Sequence, residues 1–97
     1  MTENIKPSLC IICPSYNEME TITPSINSLL KILEDLGNKS LINFQDSRVL
    51  IVDDGSTDNS WSILQKLSEA YENLQCIKLS RNFGHQNALL AGLMNSN

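Results

Sequence analysis

Short apolar runs alternate with stretches of helical periodicity along most of the chain. Three runs have the length and β-branched content of strands buried on both faces: Ser8 to Cys13, Arg48 to Asp53 and Leu74 to Leu79. Between the first two, Glu20 to Leu36 carries apolar residues at steps of three and four. Thr57 or Asp58 is the predicted N-cap of a second helix that runs through Tyr71, and His85 to Leu93 predicts a third helix.

Three strand–helix units of this kind predict an α/β fold with a parallel sheet. Right-handed crossovers give the strand order 3-2-1, which is half of a doubly wound fold, and they place the first two helices on one face. The opposite face and one edge of such a half-sheet lack cover. We therefore expect a homo-oligomer that forms through the exposed sheet face or edge.

Proline, glycine and loop residues at the boundaries of the predicted elements refine this prediction. Pro24 falls in the first turn of the first helix, where a missing N–H costs nothing, and Gly37 is a plausible C-cap. Asn38 to Ser47 predicts a polar loop, in which Leu41, Ile42 and Phe44 add a short turn that packs back on the core.

Composition and charge limit the partners. The chain has 97 residues, enough for one small domain, and a formal net charge of −4 with its basic residues scattered singly. A sequence-independent grip on nucleic acid needs clustered basic residues, so we expect no nucleic-acid partner. No apolar run approaches the ~20 residues of a membrane span, and the start Met-Thr-Glu-Asn is unlike a signal peptide.

Three cysteines, an odd number, favour a reducing compartment and hence a cytoplasmic location. Cys10 and Cys13 form C-x-x-C, which also occurs in redox pairs and in half of a zinc site. On a strand, however, these two positions face opposite sides, and no second pair follows at zinc spacing. We interpret Cys10, Cys13 and Cys76 as core cysteines.

Polar, turn-forming segments follow the first two predicted strands, at the sheet edge where open α/β folds bind ligands. Pro14 to Glu18 follows the first strand and Asp53 to Asp58 completes the second. Tyr16 offers a flat face for base stacking and Glu18 an acceptor. Asp53 and Asp54 point to opposite sides, so that one faces the cleft and the other braces the loop.

Two further candidates follow the third strand: Arg81 lies at its end, and His85 lies at the start of the third predicted helix. Arg81 brings a guanidinium that can hold a phosphate oxygen, and His85 is a candidate for contact with phosphate or acceptor. Each candidate also has a plainer interpretation as a turn residue, a helix cap, a buried aromatic residue or a solvated charge. The glycine-rich motifs of dinucleotide-binding and P-loop proteins are absent from the sequence.

Three segments together resemble the amino-terminal part of a family 2 glycosyltransferase. They are Cys13-Pro14-Ser15-Tyr16-Asn17-Glu18, Val52-Asp53-Asp54-Gly55-Ser56-Thr57-Asp58 and Leu79-Ser80-Arg81-Asn82-Phe83-Gly84-His85-Gln86 with Ala88 to Leu93. The third segment is most similar to the polyprenyl-phosphate branch, which includes dolichol-phosphate mannose synthase. The three motifs occur in order and cover nearly the whole chain.

The resemblance implies a GT-A fold and transfer of a sugar, with inversion, from a nucleotide diphosphate sugar to a polyprenyl phosphate or other glycan acceptor. It implies that the base and ribose pocket is lined by Pro14, Tyr16 and Glu18. Asp54 would form a hydrogen bond with the base, and Asp53 would shape the loop. Arg81 would approach a phosphate.

The same resemblance implies Mg²⁺ or Mn²⁺ held by a downstream Asp-x-Asp motif, which the chain lacks. We expect residues 1–97 to be a partial glycosyltransferase domain, its nucleotide-binding half, which ends before that motif, binds no metal alone and has no turnover by itself. The whole protein is expected in the cytoplasm, with possible association at the cytoplasmic side of a membrane.

Two other classes of protein share parts of this pattern. A non-catalytic nucleotide-binding or receiver-like α/β module also carries paired carboxylates after a strand. A receiver needs a phosphoacceptor aspartate at the end of a central strand and a lysine at the end of a later strand. The segment Leu79-Ser80-Arg81 offers no aspartate. A purely structural interaction domain accounts for the fold but leaves the polar strand ends unexplained.

Overall fold

A computed structural model describes residues 5–79 of the chain. The described elements, in chain order, are β1 (Cys10–Ser15), α1 (Ile22–Asn38), a short 3-10 helix (Phe44–Asp46), β2 (Arg48–Asp53), α2 (Ser60–Ala70) and β3 (Leu74–Lys78). The predicted third helix, Arg81 and His85 lie outside the described residues.

The three strands form one parallel sheet in the order β1-β2-β3. Ser15 at the end of β1 is level with Asp53 at the end of β2, and Asp53 is level with Lys78 at the end of β3. The carboxyl ends of all three strands therefore meet at one edge. The predicted α/β fold class and strand order are confirmed.

Both helices pack on the same face of this sheet. The main core consists of one buried cluster contributed by both helices and by alternate strand positions: Ile22, Ile26, Leu33, Ile42, Val49, Ile51, Leu64 and Leu74. In α1 the buried Ile22, Ile26 and Leu33, together with the partly buried Leu29 and Leu30 between them, recur at steps of three and four residues, as a helix with one apolar stripe requires. The prediction that the first two helices share a face is confirmed.

The other face of the sheet carries a second, smaller cluster. Leu50 and Val52 of β2 are its centre, with exposures of 1% and 0%, and partly buried side chains such as Ile12 and Ile77 pack against them. The centre of this face is therefore covered rather than exposed. The predicted homo-oligomer through an exposed sheet face or edge stays a prediction.

The first strand lies two residues later than the hydrophobic pattern predicted. It includes Pro14, which the pattern treated as the end of the strand. Because Ser15 accepts a hydrogen bond from the Asp54 N–H across the pair, the preceding Pro14 directs its nitrogen away from β2. Among the described strands β1 is an edge, where a proline leaves no ladder hydrogen bond unmade.

The first helix also continues past its predicted end. Its C-cap is Lys39, whose N–H donates to the Asp35 carbonyl, and the next N–H, that of Ser40, donates to the Gly37 carbonyl. The expectation that Gly37 caps the helix is therefore wrong. Gly37 has a packing role instead, since a Cβ there would lie 2.9 Å from the Cβ of Phe44. The short 3-10 helix can approach α1 only because this side chain is absent.

The loop after α1 is pinned to the start of the sheet by polar contacts. The Ser47 hydroxyl accepts from the Leu9 N–H at 2.9 Å and donates to the Asn43 carbonyl at 2.7 Å. The Asn73 amide donates to the carbonyl oxygens of Phe44 and Ser47. The predicted short turn that packs back on the core is confirmed for Ile42 and Phe44, whereas the expectation is wrong for Leu41, which is 57% exposed.

All three cysteines are free and partly buried. Cys10 contacts the smaller cluster and Cys13 the main core, so the two thiols lie on opposite faces of β1. Burial, with the nearby charge of Asp53, raises the pKa of the Cys76 thiol to about 11. Burial, with the charge of Glu18, also raises the pKa of Cys13. The Cys13 and Cys76 thiols are therefore protonated at neutral pH, and all three cysteines pack as core side chains.

Within residues 5–79, neither helix combines the length and the apolar character that a membrane span requires.

The core assignment predicts different costs for two isoleucines of α1. Ile26→Ala removes a side chain with no exposed surface and lowers the free energy of unfolding by about 3 kcal/mol. Ile32→Ala, at a position 47% exposed on the same helix, changes it by less than about 1 kcal/mol. Urea unfolding followed by circular dichroism measures both, and equal losses would contradict the packing described here.

Candidate functional site

Two loops leave the carboxyl edge of the sheet side by side. The first loop, residues 16–21, joins β1 to α1, and the second loop, residues 54–59, joins β2 to α2. Because β1 and β2 are neighbours in register, the loops start at the same level. We call this edge, with both loops, the rim.

Asn17 joins the two loops. It adopts a left-handed backbone conformation, with φ of 51°, which asparagine tolerates better than most residues. Its Oδ1 accepts hydrogen bonds from the backbone N–H of Thr57 at 2.8 Å and of Asp58 at 3.3 Å. Its own N–H donates to the Ser56 hydroxyl at 2.9 Å. One residue of the first loop thus contacts three consecutive residues of the second.

The contact between the loops continues toward the helices. The Glu18 N–H donates to the Ser60 hydroxyl at 3.0 Å, and the Met19 N–H donates to the Asp58 carboxylate at 3.4 Å. Asp58 also accepts from the Ser60 N–H at 2.8 Å, at the first residue of α2. The second helix starts at Ser60, and its N-cap position is Asn59, directly after the predicted cap Asp58. The Asp58 carboxylate nevertheless accepts from the first N–H of the helix.

Asp53 stabilises the turn of the second loop. It is fully buried, and its carboxylate accepts from the Ser56 N–H at 3.2 Å and from the Ser56 hydroxyl. In the strand alternation it follows Val49 and Ile51, so it lies on the helix-facing side. Gly55 takes the left-handed conformation that this tight turn needs, with φ of 76°.

Asp54 continues the other face of β2. It follows Leu50 and Val52 in the alternation and has no exposed surface. Its N–H donates to the Ser15 carbonyl at 2.8 Å, which extends the sheet pairing by one step. The two adjacent carboxylates thus differ in direction, and a ligand reaches Asp54 only if neighbouring atoms move.

The remaining predicted residues are Pro14 at the end of β1 and Tyr16 and Glu18 of the first loop. Pro14 and Tyr16 are half-buried on either side of buried Ser15, whereas Glu18 is exposed. Glu18 Oε1 accepts from the Tyr16 N–H at 3.2 Å and so closes the turn between them. The structure brings Pro14, Tyr16, Glu18, Asp53 and Asp54 to the rim. It does not test whether they bind a nucleotide.

Negative charge dominates the described part of the rim. Asp53, Asp54 and Asp58 come from the second loop and its strand, and Glu18 comes from the first. Lys78 at the end of β3 is a nearby basic residue, and its ammonium lies 5.9 Å from the centre of the Trp61 ring in a cation–π contact.

Two cavities adjoin the first loop. One, of about 70 Å³, lies between β1 and α1 beside Ser15, Glu18 and Ser25. The Ser15 hydroxyl is buried without a hydrogen-bond partner in the described part of the chain. Nucleotide-sized ligands need several hundred Å³, so this space is too small for one. The other, of about 350 Å³, is an open depression lined by acidic residues that include Glu18 and Asp58.

The described residues do not form a metal site. No group of three or more histidine, cysteine, aspartate or glutamate side chains is arranged to hold an ion between residues 5 and 79. The adjacent carboxylates of Asp53 and Asp54 lie on opposite faces of the sheet and cannot share one ion.

The sequence interpretation placed Asn17 in a motif without giving it a function, and it did not single out Ser56 or Ser60. These residues make the contacts between the loops. A partial signal was present, because asparagine after a strand end favours left-handed turns. The partners themselves are 39 to 42 positions away in the chain, and only the strand pairing identifies them.

Comparison with known proteins decides the family. The model of glycosyl transferase family 2 matches residues 10–97, nearly the whole chain. The chain belongs to that family. Its α/β fold is the amino-terminal region of the GT-A glycosyltransferase fold, as the resemblance implied. Family membership favours the glycosyltransferase interpretation over a receiver-like or purely structural module.

Individual relatives agree with this assignment. The chain is 40% identical over 88 residues to the uncharacterized glycosyltransferase YkoT of Bacillus subtilis (strain 168), covering 91% of this chain and 26% of YkoT. It is 27% identical to S. aureus TarS residues 1–349, with a TM-score of 0.72 over 93% of this chain and 24% of that one. A mannosyltransferase from Pyrobaculum calidifontis, PcManGT, solved with GDP-Man and Mn²⁺, shares the fold at 22% identity, with a TM-score of 0.64. It covers 95% of this chain and 25% of that one.

The chain spans about a quarter of the length of these relatives.

The contacts of Asp58 predict a pH dependence. Hydrogen bonds from the Ser60 side chain, and from the N–H groups of Ser60 and Met19, lower the pKa of Asp58 below its ordinary value of 3.8. Its stabilising effect is therefore complete above about pH 4 and is lost as the pH falls through the lowered value. The unfolding temperatures of wild type and Asp58→Asn are measured from neutral pH to about pH 2. The difference between them should shrink as the pH falls, because wild type loses the stabilising effect of the Asp58 carboxylate. A difference that stays constant across this range would contradict the assignment.

Proposed function

We propose that this chain carries the nucleotide-binding half of the donor site of an inverting glycosyltransferase, which transfers a sugar from a nucleotide diphosphate sugar to an acceptor. One observation carries the proposal: two family motifs, Pro14 to Glu18 and Asp53 to Asp58, meet at the carboxyl edge of a parallel sheet and are hydrogen-bonded to each other. In open α/β folds this edge is where ligands bind.

The residues near the rim divide into two proposed roles. Pro14 and Tyr16, half-buried at the end of β1, supply apolar and aromatic surface for a nucleobase. Asp54, on the face away from the helices, accepts hydrogen bonds from the base, and exposed Glu18 accepts from the ribose. Asp53 is committed to Ser56, which supports a role in shaping the loop rather than in binding.

The diphosphate requires positive charge that the described rim barely offers. Many nucleotide-binding folds place phosphates at a helix amino terminus. Here the N–H groups of Thr57, Asp58 and Ser60 already donate to side chains of the rim, and acidic residues surround them. This supports the proposal that Arg81 approaches a phosphate, with His85 contacting phosphate or acceptor.

The same deficit of positive charge supports a divalent cation, Mg²⁺ or Mn²⁺, in the whole protein. When bound, such an ion neutralises the charge that develops on the departing nucleoside diphosphate. PcManGT contains Mn²⁺ together with GDP-Man. Residues 5–79 do not fit this ion by themselves, so its ligands are proposed to come from the Asp-x-Asp motif expected downstream.

For the acceptor we propose a polyprenyl phosphate, on the resemblance of the segment Leu79 to Gln86, with Ala88 to Leu93, to that branch of the family. The names of the relatives above specify no acceptor, and another glycan acceptor is the alternative outcome of the test. The proposed location is the cytoplasm, at the membrane face for the whole protein. The three free cysteines support a reducing compartment.

Titration with UDP and GDP tests the rim as the nucleotide site. We expect one of the two to shift the backbone amide signals of Tyr16, Asp54 and Arg81 in ¹H–¹⁵N NMR spectra, because all three are proposed to contact one ligand. Asn43 and Asp46, at the opposite edge of the sheet, serve as controls and should not shift. Shifts at the controls with none at the rim would contradict the proposal.

The reaction is tested on the full-length protein. We expect transfer of sugar from a UDP- or GDP-linked donor to a polyprenyl phosphate with inverted anomeric configuration, and loss of that activity on chelation, restored by Mg²⁺ or Mn²⁺. Transfer only to other glycans would contradict the proposed acceptor. Full activity in excess chelator would contradict the proposed metal, and hydrolysis or transfer with retention would contradict the reaction.

A further inference from the structure

We propose that Asn17 is a positioning residue, which holds the first loop against the second in the geometry that binds the nucleotide. The inference rests on the proposed function. It adds a residue that positions its neighbours and does not itself contact the nucleotide. Asn17 lies between Tyr16 and Glu18, two residues proposed to contact the nucleotide, while its own side chain is directed at the second loop.

The geometry of this contact is specific to asparagine. The Oδ1 atom accepts from two successive backbone N–H groups, those of Thr57 and Asp58, and Nδ2 donates to the Thr57 hydroxyl at 3.3 Å. A side chain with one acceptor and one donor on a short stem satisfies all of these partners. The left-handed backbone at Asn17, with φ of 51°, belongs to the same arrangement.

The contact reaches a proposed site residue through a short chain of hydrogen bonds. The Asn17 N–H donates to the Ser56 hydroxyl at 2.9 Å, and that hydroxyl donates to the Asp53 carboxylate. Asp53 is followed directly by Asp54, which is proposed to contact the base. A displacement of Asn17 therefore affects both Tyr16 on its own loop and the turn that places Asp54.

The other contacts between the loops do not replace this one. Glu18 and Met19 bond through their backbone N–H groups to Ser60 and Asp58, nearer the helices. Asn17 is the residue of the first loop, within the described chain, whose side chain donates to or accepts from the second loop. Removing that side chain should loosen the loops without opening the core, because Asn17 is exposed.

Three variants separate the side-chain contact from the backbone conformation. Asn17→Ala removes the contact and disfavours the left-handed backbone. Asn17→Gly removes the contact but tolerates that backbone. Asn17→Asp keeps the acceptor oxygen and also tolerates it. Asn43→Ala is the matched control, because Asn43 Oδ1 likewise accepts from a backbone N–H, that of Gln45 at 3.1 Å, at the opposite edge of the sheet.

Two measurements are made on each protein: exchange rates of the Thr57 and Asp58 amides, and affinity for whichever of UDP or GDP binds wild type. We expect faster exchange in Asn17→Ala and Asn17→Gly, with affinity reduced about tenfold in both, as the loss of roughly one net hydrogen bond implies. Asn17→Asp should recover part of the affinity, and Asn43→Ala should equal wild type. Unfolding midpoints identify any variant whose fold is damaged.

Several results would overturn the inference. Unchanged exchange of the Thr57 amide in Asn17→Gly would show that the contact does not hold the loop. Faster exchange with unchanged affinity would leave the proposed function standing and remove the positioning role. If wild type binds neither UDP nor GDP, the proposed function itself is rejected. The inference then fails with it, before any variant is compared.

Discussion

The parallel pairing of β1 with β2 is the interaction on which the rest of the structure depends. It makes Ser15 level with Asp53, so the two loops leave the sheet at the same height. A shift of one residue would move every side chain of β1 to the opposite face and would separate the loops. The apolar residues that fix this register belong to the core, and the polar residues after them form the rim.

The rim combines rigid support with an uneven distribution of charge. The Asn17 side chain accepts a hydrogen bond from the Thr57 N–H of the second loop. The Ser56 N–H of the same loop donates to the carboxylate of buried Asp53. Because the N–H groups before and at the start of α2 already donate to side chains, the amino terminus of this helix is unsuited to binding an anion. A nucleotide at this edge is therefore recognised through its base and ribose, while its diphosphate depends on positive charge from elsewhere, which agrees with the proposed guanidinium and cation.

The periodicity of the sequence was enough to predict the parallel sheet and the helices on one face, because burial alone sets those patterns. It misplaced the end of β1, since Pro14 is a strand residue only where its nitrogen faces away from a partner strand. It misjudged Gly37, which is needed because Phe44 of the following 3-10 helix packs closely against it. The importance of Asn17 was equally invisible, because its hydrogen-bond partners are defined by the sheet pairing and not by local sequence.

The claim that this rim holds a nucleoside diphosphate is tested most directly by a crystal structure with UDP or GDP bound. The account predicts the base beside Tyr16 and within hydrogen-bond distance of Asp54. A cavity of about 350 Å³ at the opposite edge, lined by Lys31 and Tyr71 among others, offers a competing location. Nucleotide bound there, with the rim empty, would contradict the account.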